Sequence, residues 1–73
     1  MTRLAAIGER LRVVGLRTVG VAVFPADAPD TVRAAWRDLP ADVGLVILTP
    51  AAADALGPEQ LDGQDPLTAV MPP

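Results

Sequence analysis

Glu9 and Thr49 stand where this 73-residue chain is best placed to do chemistry. Each directly follows a short apolar run, Leu4-Ala5-Ala6-Ile7-Gly8 before Glu9 and Val43 to Leu48 before Thr49. Positions just past parallel strands, at the point where strand order reverses, are where open α/β sheets hold nucleotides, phosphates or a phosphoryl acceptor. The patterns for these ligands are absent. A dinucleotide fold wants G-x-G-x-x-G after its first strand, whereas Gly8 and Gly15 stand seven apart, with the acidic Glu9 where an anion would sit. A phosphate loop needs Gly-Lys-Ser/Thr, and the chain contains no Lys and no Ser. A receiver domain needs clustered acids after strand one, an Asp after strand three and a Lys. Here only Glu9 is available and Thr49 occupies the acceptor place.

The remaining residue types narrow the field further. With no Cys there is no disulfide scaffold, thiol chemistry or thiolate metal site. With no His the commonest general base and metal ligand is missing. No catalytic residue, cofactor or metal ligand is therefore expected, and an enzyme is not.

Six Arg against nine Asp and Glu give a net charge of −3. A nucleic-acid binder needs a dense basic footprint. Arg3, Arg10, Arg12 and Arg17 cluster in the first quarter and acids dominate afterwards, which reads as a solvated surface or as a face that pairs with acids on a partner protein. No nucleic-acid partner is expected. The longest apolar runs are four residues, far below the ~20 needed to span a bilayer. The Arg-containing start does not read as a signal peptide. The expected location is cytoplasmic, without direct membrane insertion.

These residues need a scaffold, and the pattern supplies one. Leu4 to Ile7, stopped by Gly8, reads as a buried parallel strand. Glu9 to Arg17 reads as a loop running into a short helix. Val19 to Phe24 reads as a second strand ended by Pro25. Asp27 to Asp30 reads as a helix start, because Pro29 suits a first turn and the two acids suit the positive end of a helix dipole. Val32, Ala35, Trp36 and Leu39 then form one apolar stripe at helical spacing, and Pro40 stops it. Trp36 reads as core. Val43 to Leu48, apolar throughout, reads as a central strand. Thr49 and Pro50 open a third helix over Ala51 to Leu56, closed by Gly57. Pro58 to Leu61 adds one turn, Asp62 to Pro66 is a polar turn cluster, and Leu67 to Met71 reads as a fourth strand.

Strands alternating with helices predict a parallel sheet covered on both faces. The expected fold is a single α/β domain over residues 1–73, a small three-layer, doubly wound, flavodoxin-like or Rossmann-like four-stranded sheet in order 2-1-3-4 with about three helices. No closing helix follows the last strand, so one flank of it is expected to lack cover. Such a chain buries only roughly 60% of its unfolded surface, and thirteen of its residues are Ala, so docking on a partner would add stability.

Four segments taken together resemble the small F component of the central stalk in V-type and archaeal-type rotary ATPases (ATP synthases). Ile7-Gly8-Glu9 and then Val14-Gly15-Leu16-Arg17-Thr18-Val19-Gly20-Val21 are similar to that family's I-G-D/E, short gap and G-F-R-L-A-G-I opening. Asp42 to Thr49 is similar to its D-V/I-G-V-I-L-I-T segment, and Ala53 and Leu56 match the helix that follows. Pro66-Leu67-Thr68-Ala69-Val70-Met71-Pro72 is similar to P-x-I-V-x-I-P. Leu16 replaces the usual Phe, Thr18-Val19 replaces Leu-Ala, and Val70 stands where an acid is frequent. The family continues into a C-terminal helical arm that contacts the catalytic head, and the resemblance lacks that arm.

The resemblance implies a non-catalytic rotor part on the central stalk. It would dock on the coiled-coil D component of that stalk, with contact to the catalytic head in question. There it would help couple ATP hydrolysis or synthesis to proton or sodium movement, peripheral to the membrane through the complex. Glu9, Arg10, Arg12, Leu16 and Arg17 are the candidate partner-interface residues. Glu9 also reads as a helix-start acid, and Arg10, Arg12 and Arg17 as solvated. The alternative is a stand-alone receiver-like or small-ligand-binding α/β module without a phospho-acceptor. A truncated, non-functional paralogue is a third reading.

Overall fold

The first element is β1, Arg3–Gly8, in a computed structural model that describes residues 3–63 and 66–73. There follow α1 (Arg10–Val13), a 3-10 segment (Val14–Val19), β2 (Ala22–Pro25), α2 (Pro29–Arg37), β3 (Val43–Leu48), α3 (Pro50–Leu56), α4 (Pro58–Leu61) and β4 (Leu67–Val70). The four strands are all parallel, in the order β2-β1-β3-β4. Each crossover is helical: α1 with the 3-10 segment, then α2, then α3 with α4. This is the predicted α/β architecture.

Two apolar clusters flank the sheet and define its layers. On one side Ala5 and Ile7 of β1 and Val46 and Leu48 of β3 pack with Val32 of α2 and with Ala52, Ala53 and Leu56 of α3. On the other side Ala6 packs with Val13 of α1 and with Val21, joined by Leu16, Val23 and Ile47. Alternation along each strand sends neighbouring side chains to opposite faces, so small residues serve β1 well: Ala5 and Ala6 are both fully buried. At the start of β3 the pairing steps from Arg3 with Val43 to Leu4 with Leu45. Gly44 is thus an extra residue, and the parity change lets Val43 join the α2–α3 side.

The apolar stripe on α2 works as its spacing predicts. Val32 is buried, and Ala35, Trp36 and Leu39 pack against the larger cluster. The helix ends at Arg37, so Leu39 contributes from the turn beyond it. Thr31 stabilises the first turn, because its hydroxyl accepts the Ala28 backbone N–H at 3.1 Å. Thr49 caps α3 as expected, accepting from the Ala52 backbone N–H at 3.3 Å.

Two stretches differ from expectation. The helix after β1 starts at once at Arg10, without an intervening loop, and Val14–Val19 continues as a 3-10 turn. Val19, Gly20 and Val21 are consequently not in β2. Gly20 adopts φ 88°, the left-handed conformation open to glycine, and there the chain reverses into the strand. β2 also runs through Pro25, which pairs with Gly8. An edge strand accepts proline because one side of it has no ladder to complete. The turn cluster at Asp62 to Pro66 lies partly outside the described residues. No helix among the described residues is long and apolar enough to cross a membrane.

Candidate functional site

The carboxyl ends of β1 and β3 lie side by side, and the residues after them meet. Thr49 is fully buried. Its hydroxyl donates to Glu9 Oε1 at 2.6 Å while its backbone N–H donates to the Ile7 carbonyl at 3.3 Å. Gly8 makes this approach possible. A Cβ at Gly8 would stand 2.3 Å from Thr49 Cγ2 and 2.6 Å from its Oγ1, so only glycine fits. The Thr49 hydrogen bond and then a backbone hydrogen bond hold the Glu9 carboxyl below its usual range; burial opposes them, and the Arg12 charge adds the least.

This switch point therefore carries the chain's own anion, fixed by a buried hydroxyl. The hollow beside it, bordered by Glu9, Asp27, Pro29 and the alanines at the start of α3, measures about 90 Å³. Ligand pockets for nucleotides and cofactors run from about 300 to 1,000 Å³. A wider hollow of about 420 Å³ opens by Trp36, Leu39, Pro40 and Pro66, at the amino ends of β3 and β4. That is the end of a parallel sheet opposite to where ligands bind. Among the described residues no group of three or more acidic side chains gathers at metal-binding distances.

The predicted interface residues fall in two places. Glu9 turns to Thr49 at the switch point. Arg10, Arg12 and Arg17 lie exposed in the layer formed by α1 and the 3-10 segment. Arg12 reaches across the carboxyl end of the sheet and donates from Nη2 to the Pro72 carbonyl at 2.7 Å. Among the described residues none of these three arginines forms an ion pair. The pairs present are Arg3 with Asp42, Arg33 with Asp30 and Arg37 with Asp38. Leu16 is half-buried against the smaller cluster. It anchors the 3-10 segment to the sheet rather than standing free with the arginines.

Sequence reasoning missed two features. Leu11 is 93% exposed, on the outer side of α1. Its position between Arg10 and Arg12 was the available signal, since two exposed guanidiniums bracket it. The pairing of Glu9 with Thr49 had no local signal, because the partners are 40 residues apart. Compared with known proteins, the chain matches no family model, no curated protein and no solved structure.

Proposed function

We propose that this chain is a non-catalytic central-stalk part of a V-type or archaeal-type rotary ATPase. In this reading it docks on the coiled-coil component of the stalk and helps couple ATP hydrolysis or synthesis to proton or sodium transport. The observation that carries the reading is the character of the layer over β1 and β2. It presents Arg10, Arg12 and Arg17, none in a salt bridge among the described residues, together with a 93% exposed Leu11 and a 73% exposed Val19. Exposed apolar side chains in a layer with guanidiniums outside any salt bridge suit burial against a protein surface that carries acids. The segments that resemble the small stalk component of such machines supply the partner's identity, and they include β1's end, β3 and β4.

The chemistry of the switch point agrees with a binding role. Glu9 and Thr49 satisfy one another, and a space of about 90 Å³ is too small for a nucleotide. Docking would also stabilise a domain of this size by simple linkage, increasingly so as the partner concentration exceeds Kd. Co-expression with the coiled-coil stalk component tests the proposal. A stable complex through affinity and size-exclusion steps is the expected result. Two folded proteins that never associate would overturn it. A thermal-shift response to nucleotide or phosphate would favour the small-ligand alternative instead.

A further inference from the structure

We propose that the half of the sheet formed by β3 and β4, on the side of α1, seats one amphipathic helix whose apolar stripe is flanked by carboxylates. Ile47 belongs to the cluster under α1, so Leu45, two residues earlier, faces the same way. Leu67 pairs with Leu45, Ala69 with Ile47 and Leu4 with Leu45, which puts all five on one face. None of the five is charged. Leu4 is 42% and Leu67 53% exposed, Ala69 is exposed, and Leu45 and Ile47 are half-buried. The helices α2, α3 and α4 lie on the opposite side, and α1 with the 3-10 segment covers β1 and β2.

The open strip has the dimensions of a helix. Two neighbouring strands span roughly 10 Å across, and a helix with its side chains is about 10–12 Å wide. The strip lies beside α1 in the same layer, where a doubly wound sheet takes a helix.

The charge of the partner follows from how this chain distributes its own. Residues 10–19 carry three Arg and no acid. The opposite layer carries Asp30, Asp38, Asp54, Glu59 and Asp62 against Arg33 and Arg37. The open strip thus lies on the positive side of a polarised domain. Arg12 stands at its carboxyl end, where it binds Pro72. A helix with an apolar stripe and acidic flanks complements both features. A second copy of this chain would instead bring like charges together along the arginine border.

The inference shares with the docking proposal the idea of a helical partner, but its test does not use the stalk component, so the two fail separately. The probe is a synthetic amphipathic helix of about 18 residues, long enough at about 1.5 Å per residue to cross the 27 Å domain. It carries a leucine stripe flanked by glutamates, and its twin carries lysines. Titration into the ¹⁵N-labelled protein should shift the amides of Leu4, Leu45, Ile47, Leu67 and Ala69. The lysine twin should bind roughly tenfold more weakly or worse, and Arg12→Glu should erase the difference. Leu67→Asp should abolish binding while the dispersed spectrum persists. Four results would overturn the inference. They are equal binding of the twins or none by either, shifts centred on α2 and α3, and dimerisation of the protein through this face at micromolar concentration.

Discussion

The Thr49 hydroxyl donates to Glu9 Oε1 at 2.6 Å and so fastens the end of β3 to the end of β1, across 40 residues of sequence. Thr49 is fully buried, and the same oxygen caps α3. Thr49→Val keeps the shape but leaves the Ala52 N–H and the Glu9 carboxylate without their partner. Loss of a buried hydrogen-bonding group costs about 1–3 kcal/mol. Chemical denaturation should show a loss in that range, while Thr49→Ser should recover most of it.

Gly8→Ala probes the same contact from the other strand. The added Cβ would stand 2.3 Å from Thr49 Cγ2, and the crowding belongs to a buried, hydrogen-bonded side chain. Overpacking of this kind costs about 1–3 kcal/mol. The double variant Gly8→Ala with Thr49→Ala should be less destabilised than the sum of the singles, because they share one contact. Additive losses would contradict the steric account.

Acid should weaken the domain through Glu9. Its carboxyl is held below the ordinary value of 4.5, chiefly by the Thr49 hydroxyl, so the folded state binds this proton less readily than the unfolded state. The resulting stabilisation is present above pH 4.5 and is lost as pH falls through the lowered folded value. Glu9→Gln should flatten that part of the stability–pH curve below pH 4.5 and leave the curve near neutral pH parallel to wild type. An unchanged acid limb would contradict the assignment.

How much of this could be read in advance differs from element to element. β3 and α3 were legible because Leu45 to Leu48, preceded by Val43-Gly44, is an unbroken apolar run and Thr49-Pro50 is a strong helix opening. The α2 stripe was legible because its spacing matches only a helix. The stretch Val19–Gly20 misleads, since a β-branched residue before Val21 and Val23 extends the strand pattern. The left-handed turn at Gly20 decides otherwise, and glycine permits it without announcing it. At the candidate site, the arginines announced a charged face by their number. The burial of Leu16 and the exposure of Leu11 depend on which side of α1 and the 3-10 segment meets the sheet. Tertiary packing sets that side.

The core is small enough that one truncation should be decisive. Ile7 is fully buried at the centre of the larger cluster. Removing its side chain in Ile7→Ala costs about 2–5 kcal/mol. At about 0.05–0.15 kcal/mol per residue, the whole domain holds only roughly 4–11 kcal/mol. Circular dichroism melts should show Ile7→Ala largely unfolded or strongly lowered in Tm. Leu67→Asp, on the open face, should stay within about 1 kcal/mol of wild type.

Sedimentation velocity of this protein mixed with the coiled-coil stalk component tests the docking role most directly. The account predicts a single faster boundary of one copy of each. Charge reversal at Arg12 and Arg17 together should lower the association rate, with the folded spectrum unchanged. Two independent boundaries from two folded proteins, at every concentration and at low salt, would contradict it.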